Sequence, residues 1–289
     1  MIKTRNGQTI VTNEGQNKLL KKLYGSVGGR IMLKTLTAPV LSRAVGRFMD
    51  SGLSEPLIKP FIRKSGIDTS EYVMDGVHSY NSFFTRKVKP SKRPVDYAPD
   101  HLISPCDSKL TVYKIGRNSI FRIKGSRYRV SDLLQNRFLA DRFRGGYCLI
   151  FRLEVNDYHR YCYIDNCTKT DNTFIQGELH TVNPIALERY NIYKRNSREY
   201  TVMHTDNFGD VVQVEVGAML VGRIVNHHGE CAVRRGDEKG MFQFGGSTIV
   251  MLFQKDSITV DSDILRNSAN GDETVVKYGE KIGLTAVSR

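Results

Sequence analysis

Three segments of the chain contain residues that could transfer a proton. Asp107 lies in Ser-Pro-Cys-Asp-Ser, beside a proline-constrained turn and ahead of a predicted strand. His159 lies in Asp-Tyr-His-Arg, directly after another predicted strand, and His180 opens a third segment, His-Thr-Val-Asn-Pro. A histidine at a strand end can act as a general base, because the pKa of its imidazole lies near neutral pH. For each residue taken alone, a structural role is the favoured interpretation.

A fourth segment, Phe-Gly-Gly-Ser-Thr, runs directly into the apolar stretch 249–253. Two glycines before Ser-Thr are compatible with a hairpin turn, with a phosphate-binding loop that lacks the Walker spacing and lysine, or with a strained peptide bond. In the third case the serine hydroxyl attacks the preceding carbonyl carbon. The resulting N→O acyl shift gives an ester, and β-elimination then leaves a dehydroalanine that becomes a pyruvoyl group.

The elements that must position these side chains differ between the two ends of the chain. Residues 17–64 carry Leu, Val and Phe at three- and four-residue steps, with Lys and Arg on another face, which predicts short basic amphipathic helices. Pro39 is expected to kink or divide this stretch. Later, short β-branched and aromatic runs alternate with Gly, Asn and Asp, which is typical of strands and turns. The strand 248–253 is expected to be buried. We therefore predict an α+β fold, with a helical region at 1–90 and a β-rich catalytic body at 91–289.

The composition is that of a globular protein with a localised positive charge. Of the 289 residues, 40% are hydrophobic and 25% are charged, which argues against disordered, collagen-like and disulfide-framework chains. The net charge is +13, and residues 1–90 hold 15 Lys and Arg against 6 Asp and Glu. Such a charge favours an anionic partner, either nucleic acid or a membrane surface. The chain has no apolar run of about 18 residues and no secretory signal, and its five scattered cysteines are typical of reduced thiols.

Taken in order along the chain, six motifs resemble those of phosphatidylserine decarboxylases. They are Phe-Phe-Thr-Arg followed by Pro90, Arg93 and Pro94, then Ser-Pro-Cys-Asp-Ser, Asp-Tyr-His-Arg, His-Thr-Val-Asn-Pro, Val-Glu-Val-Gly-Ala-Met-Leu-Val-Gly-Arg-Ile and Gly-Asp-Glu-Lys-Gly-Met-Phe-Gln-Phe-Gly-Gly-Ser-Thr. The resemblance covers about residues 75–255 in detail. The last motif is the most specific of the six.

The resemblance implies a proenzyme that cleaves itself between Gly246 and Ser247. The products would be a β chain of residues 1–246 and an α chain of residues 247–289, held together as a heterodimer. Ser247 would become a covalent pyruvoyl cofactor that forms a Schiff base with the amine of phosphatidylserine. Loss of CO2 would then give phosphatidylethanolamine. No metal and no nucleic-acid partner is implied, and association of the heterodimer with further copies is left open.

The resemblance also assigns the acid–base residues, with one departure. Asp107 matches the aspartate of the charge relay that activates the serine, and His159 matches the first histidine of the family pattern His-Arg-x-His. The second histidine, which usually serves self-cleavage while the first serves decarboxylation, is replaced by Cys162. Three candidates for the self-cleavage base follow: His159 serving both steps, Cys162 as a thiolate, and His180. His159 ranks first, because it alone occupies a matching histidine position.

The localised charge and the lipid substrate together predict peripheral binding to the cytoplasmic side of the cell membrane, where anionic phosphatidylserine attracts basic segments. Two enzymatic alternatives stay open: a pyruvoyl-dependent decarboxylase of another amine-bearing carboxylate, and a degenerate homologue that does not process itself. A basic β-rich module that binds nucleic acid would explain the charge but not the ordered motifs.

Overall fold

The computed structural model describes residues 1–10, 39–123, 126–177, 196–217, 223–243 and 247–286. In these ranges the helices are α1 (Pro39–Asp50), α2 (Ile58–Ser65), α3 (Tyr80–Phe84), α4 (Val130–Leu134), α5 (Arg137–Asp141) and α6 (Ser262–Ala269), with 3₁₀ turns at Gly52–Leu57, Thr69–Glu71 and Pro90–Lys92. The strands are β1 (Ile2–Lys3), β2 (Thr9–Ile10), β3 (Tyr72–Val73), β4 (Lys87–Val88), β5 (His101–Ile103), β6 (Ser108–Lys114), β7 (Ile120–Ile123), β8 (Ser126–Arg129), β9 (Tyr147–Leu153), β10 (Arg160–Cys162), β11 (Cys167–Lys169), β12 (Thr173–Ile175), β13 (Arg198–Thr205), β14 (Gly209–Val216), β15 (Ile224–Asn226), β16 (Cys231–Val233), β17 (Glu238–Phe242), β18 (Ser247–Phe253), β19 (Ile258–Val260), β20 (Glu273–Val276) and β21 (Lys281–Thr285).

A long mixed sheet organises these elements. Its strands lie in the order β16-β11-β13-β14-β18-β9-β6-β20-β1-β2, and β12 also pairs with β13. Most neighbours are antiparallel, whereas β1 runs parallel to β20. A smaller sheet contains β10, β17 and β15, and another contains β19, β21 and β5, while β3 pairs with β4 and β7 pairs with β8. The expected α+β fold with a β-rich body is therefore confirmed at this level.

Strand β18 is buried along its whole length, as the sequence predicts. Val250 and Leu252 pack into a hydrophobic core on one face of the sheet, beneath α4 and α5. Ile249 and Met251 pack into a second core on the opposite face, together with residues of β5, β19 and α6. A strand covered on both faces is expected to be apolar at every position rather than alternating, and 249–253 follows that rule.

The helical N-terminal region is described only in part. Residues 11–38 of the chain lie outside the described ranges, so the predicted basic amphipathic helices there stay a prediction, as does the domain division at residue 90. The described part of the chain resumes at Pro39, in α1, so the kink or division expected at this residue also stays a prediction.

The first ten residues lie within the long sheet, although the sequence-based division placed them with the helices. Strand β1 pairs with β20, and the guanidinium of Arg5 contacts Asp261, Asp263 and Glu280. These partners are more than 250 residues away in sequence, so no local pattern predicts the pairing. No helix in the described ranges is long and apolar enough to span a membrane.

The close packing of β17 gives a test of the fold. A Cβ atom added to Gly240 would overlap the carbonyl oxygen of Val225 and approach the Tyr161 hydroxyl to 2.8 Å. We expect Gly240→Ala to lower the free energy of unfolding by about 1–3 kcal/mol, the usual cost of overpacking. Denaturant unfolding measures it. The control is Gly52→Ala, whose new methyl group meets only the His78 carbonyl oxygen at 3.7 Å. Equal stability of the two variants would contradict the described packing.

Candidate active site

The register of three neighbouring strands brings Ser247 and Asp107 to one edge of the long sheet. Ser247 of β18 lies opposite Leu153 of β9, and Arg152 of β9 lies opposite Lys109 of β6. One further step of this register places Leu153 opposite Ser108, the residue after Asp107. Because adjacent strands lie about 4.8 Å apart, Ser247 and Ser108 are separated by roughly 10 Å across the sheet.

His159 is fixed beside the strand that leads to Ser247. The backbone N–H of Phe242, the last residue of β17, donates to the carbonyl oxygen of His159 at 2.9 Å. Residues 244–246, including Gly246 of the expected cleavage site, lie outside the described ranges, and β18 begins at Ser247. The pairing of β10 with β17 therefore holds His159 beside Phe242, which precedes Ser247 by five residues in the sequence.

The side chain of His159 is fully buried and is a neutral base. Its Nδ1 lies 2.9 Å from the carbonyl oxygen of Asp157, which can only accept, so Nδ1 carries the proton and Nε2 carries the lone pair. Phe84 of α3 packs on the ring with a centroid separation of 4.0 Å. The pKa of the imidazole is lowered to about 3, mainly by burial and also by the positive charges of Arg86 and Lys109, whereas the Asp157 carbonyl and Asp107 act in the opposite direction.

Two complementary atoms in this region have no hydrogen-bond partner within the described part of the chain. The Ser247 hydroxyl oxygen is buried and unsatisfied, and so is Nε2 of His159. The first is a potential donor and the second is an acceptor. Unpaired buried polar atoms are costly and are therefore rare, so each one calls for a functional explanation. A serine hydroxyl and a neutral imidazole are the pair that nucleophilic activation requires.

Asp107 is held by cations. The Arg93 guanidinium donates to its two carboxylate oxygens at 2.7–3.0 Å, the backbone N–H of Tyr278 donates at 2.8 Å, and Lys277 Nζ lies 3.4 Å away. Burial alone would raise the pKa of Asp107, but the Arg93 hydrogen bonds and both cations lower it overall. The carboxylate is thus ionised, and its charge favours protonation of His159 without a direct contact. Arg93 is part of the first of the six motifs, but its position in the sequence predicts no role for it.

Of the two alternative bases for self-cleavage, Cys162 and His180, the structure describes only Cys162. Burial raises the pKa of the Cys162 thiol to about 12, so it is protonated at neutral pH, an environment that opposes the thiolate hypothesis. His180 lies outside the described residues.

A buried ion pair that sequence reasoning missed lies on the same face of the sheet as Ser247. Lys239 of β17 donates to Glu215 of β14 at 2.8 Å, and neither side chain is exposed to solvent. Glu215 lies opposite Ile249 in β18, two residues from Ser247, and side chains two residues apart share a face. The ion pair therefore connects β17, which precedes residues 244–246, to β14, which pairs with β18 after them. In the sequence, this ion pair is indicated only by the charged residues Glu215 and Lys239 within two predominantly strand-forming segments.

Comparison with known proteins identifies the family. The family model described as phosphatidylserine decarboxylase matches residues 80–284, which is more than half of the chain. The chain belongs to the phosphatidylserine decarboxylase family. This confirms the resemblance drawn from the six motifs, and the family is one of pyruvoyl-dependent carboxy-lyases.

Relatives that match almost from end to end agree with this membership. Phosphatidylserine decarboxylase proenzyme 2 of Clostridium acetobutylicum is 47% identical over 271 residues, covering 93% of each chain. The phosphatidylserine decarboxylase proenzyme of Clostridium perfringens is 39% identical over 292 residues, covering 98% of this chain and 99% of its own. That of Ruminiclostridium cellulolyticum is 42% identical and covers 92% and 91%, respectively. "Proenzyme" in these names implies processing in the relatives.

The environment of His159 gives a prediction of pH dependence. An unfolded histidine ionises near pH 6.5, whereas burial lowers the pKa of His159 to about 3. The folded protein therefore keeps this ring neutral as the pH falls from 8 to 5, while the unfolded chain takes up a proton. The resulting contribution to stability is present above pH 6.5 and is lost as the pH falls towards 3.

NMR of the His159 ring in the Ser247→Ala protein measures this directly, with the signal assigned by adding His159→Gln. We expect chemical shifts of a neutral imidazole throughout the range from pH 8 to 5. A titration midpoint near 6.5 would show that the ring is hydrated and would contradict the described burial.

Proposed function

We propose that this chain is a self-processing decarboxylase that converts phosphatidylserine to phosphatidylethanolamine and CO2, with a pyruvoyl group derived from Ser247. The observation that carries the proposal is that two buried atoms, Ser247 Oγ and His159 Nε2, have no hydrogen-bond partner among the described residues. Membership of the family and the match of its motifs at both residues support the same assignment.

His159 acts first as the base of self-cleavage. Its Nε2 accepts the proton of the Ser247 hydroxyl, and Oγ attacks the carbonyl carbon of Gly246. The Gly246–Ser247 amide bond breaks as an ester forms, and the proton passes to the released amine of Ser247. Loss of the Ser247 α-proton then expels the Gly246 carboxylate by β-elimination. Water hydrolyses the tautomer of the resulting dehydroalanine, ammonia leaves, and a pyruvoyl group remains at residue 247.

Asp107 supports this proton transfer by its charge. An imidazole with a pKa near 3 is a weak base, so a nearby carboxylate is needed to stabilise the imidazolium as it forms. Arg93 keeps that carboxylate ionised and fixed, because it donates to both oxygens. Arg93 is in this way a positioning residue that acts through Asp107.

The residues around Ser247 suit a pyruvoyl group. The serine hydroxyl makes no hydrogen bond within the described residues, so its departure as part of the Gly246 carboxylate sacrifices none, and the buried strand excludes bulk water. When present, this group supplies an electrophilic carbonyl that takes up the electron pair of the breaking carboxyl bond. His159 would first accept a proton from the substrate ammonium group at Nε2 and then donate that proton to the product carbon. Its low proton affinity makes the protonated ring a strong acid for this step.

The two products of cleavage are expected to stay together as a heterodimer. The α chain, 247–289, carries β18 to β21 and α6. Strand β18 pairs with β14 and β9 of the β chain, and β20 pairs with β6 and β1. These hydrogen bonds do not depend on the bond at 246. The state of association beyond this heterodimer stays open.

We further propose that the enzyme binds the cytoplasmic side of the cell membrane peripherally through the end of α1 and the turn that follows. Phe48, Leu53 and Leu57 are exposed there, and Leu53 is 78% exposed. Basic residues of α2, including Arg63 and Lys64, lie next in the chain. Exposed apolar groups beside cations are suited to an anionic lipid surface. A membrane-binding surface also favours a lipid substrate over a small water-soluble one, because the lipid is met at the membrane.

Intact-mass measurement tests the self-cleavage. We expect two chains divided at 246/247, a pyruvoyl group on the smaller one, and a single chain for Ser247→Ala. His159→Gln should slow cleavage by about 100-fold or more, the usual contribution of a general base. Cys162→Ala should cleave normally. A single chain in an active preparation would overturn the mechanism, and loss of cleavage on Cys162→Ala would move the base from His159.

Vesicle sedimentation tests the membrane surface. We expect Leu53→Ser with Leu57→Ser to weaken binding to phosphatidylserine vesicles about tenfold or more, because two apolar side chains leave the lipid. The matched control is Phe138→Ser, since Phe138 is 91% exposed on α5 and outside the proposed surface. If the control weakens binding as much as the double variant, the surface has been assigned wrongly.

A further inference from the structure

Arg86, the last residue of the Phe-Phe-Thr-Arg motif, is a buried cation with guanidinium donors that have no partner in the part of the chain that the structure describes. It is 3% exposed, and Nη1 donates to the Phe83 carbonyl oxygen at 3.1 Å. Nε and Nη2 have no hydrogen-bond partner within the described residues. By contrast, the buried guanidinium groups of Arg93, Arg152 and Arg235 each contact a carboxylate. A buried charge is expensive unless it is paired, so the free edge of Arg86 needs a reason.

Aromatic rings hold the guanidinium in place. Its central carbon lies 4.1 Å from the centroid of the Tyr72 ring and 4.6 Å from that of Phe83. Such cation–π contacts stabilise the charge through the faces of the group. They leave the in-plane N–H donors available. The aromatic neighbours therefore orient Arg86 without satisfying it.

The two unsatisfied nitrogens lie on one edge of the guanidinium. Nε–H and Nη2–H point in parallel and form the fork that binds two oxygens of one anion. The chain uses the same edge elsewhere, since Arg93 donates from Nε and Nη2 to the carboxylate of Asp107. The geometry of Arg86 thus suits a carboxylate or a phosphate rather than a single neutral acceptor.

Arg86 also lies next to the proposed acid–base residue. Phe84, two residues earlier, packs on the His159 ring, and Arg160 donates to the carbonyl oxygen of Thr85 at 2.8 Å. The charge of Arg86 is close enough to His159 to disfavour protonation of the imidazole. An anion bound at Arg86 would therefore lie beside the reacting groups.

We propose that Arg86 binds the phosphodiester of the substrate head group through its Nε and Nη2 donors. This inference rests on the proposed function, in which the substrate has two anionic groups. The carboxylate leaves as neutral CO2, so a cation that bound it tightly would stabilise the substrate more than the transition state and would slow the reaction. The phosphodiester keeps its charge throughout. Its binding can anchor the head group without opposing decarboxylation.

Steady-state kinetics of the cleaved enzyme on dispersed short-chain phosphatidylserine test the proposal. We expect Arg86→Gln to raise KM roughly 10- to 100-fold, the usual value of hydrogen bonds to a charged group, and to change kcat by less than about threefold. Arg86→Lys keeps the charge but loses the fork, so its KM should lie between those of the unaltered enzyme and of Arg86→Gln. The control is Arg144→Gln, which removes a cation that is 49% exposed and should leave KM unchanged.

Competition experiments identify the anion. Glycerophosphoethanolamine has the phosphodiester but no carboxylate, and free serine has the carboxylate but no phosphate. Arg86→Gln and Arg86→Lys should each weaken inhibition by the first compound and not by the second. The reverse pattern would assign Arg86 to the carboxylate and overturn the proposal. Inorganic phosphate that competes as well as glycerophosphoethanolamine would indicate a free-phosphate site, with the same consequence.

Two controls keep this test separate from the proposed function. Intact-mass measurement shows whether each variant has cleaved itself, so that only cleaved enzyme is compared. If the unaltered chain neither cleaves nor releases CO2, the proposed function fails. If it is active and both Arg86 variants retain its KM, the head-group proposal alone fails. If Arg86→Gln does not fold, Arg86→Lys carries the comparison with the unaltered enzyme.

Discussion

The burial of β18 between β9 and β14 is the constraint on which the site depends. Every residue of this strand is buried, and it is hydrogen-bonded to both neighbours in a fixed register. Ser247 belongs to this strand, so the position of its hydroxyl, the proposed nucleophile, is set by the sheet. Lys239 and Glu215 add a second constraint, because their ion pair connects β17 to β14 on the face that Ser247 shares. The segment between β17 and β18 must therefore join two fixed ends.

Burial affects the ionisable groups of the site in different ways, depending on what each of them contacts. It keeps His159 neutral and Cys162 protonated, because neither side chain has an ion-pair partner in the described part of the chain. Asp107 is equally buried but stays ionised, because Arg93 and Lys277 are beside it. The same physical effect thus yields a neutral base and a charged supporting group close to the same edge of the sheet. Arg86 is the exception, since it is buried and charged but has no acidic contact in the described residues.

Local sequence patterns predicted the parts of this site that depend on neighbouring residues. The apolar run after Ser247 predicted a buried strand, and the motifs singled out Asp107 and His159. The Arg93–Asp107 and Lys239–Glu215 pairs escaped prediction because each joins residues distant in sequence, and charge type alone does not specify a partner. The pairing of β1 with β20 escaped for the same reason. The direction in which the Nε and Nη2 donors of Arg86 point depends on side-chain packing, which no sequence periodicity predicts.

The interleaving of strands from both ends of the chain has a consequence for the life of the enzyme. Strand β20 lies between β6 and β1, and the N-terminal ammonium group contacts Asp272 just before it. While the polypeptide is continuous, these contacts form within one molecule. After a cut ahead of β18 they would join two separate polypeptides, and reassembly from the unfolded state would depend on concentration. Folding must then precede the cut, and the mature protein would persist through slow unfolding rather than through ready refolding.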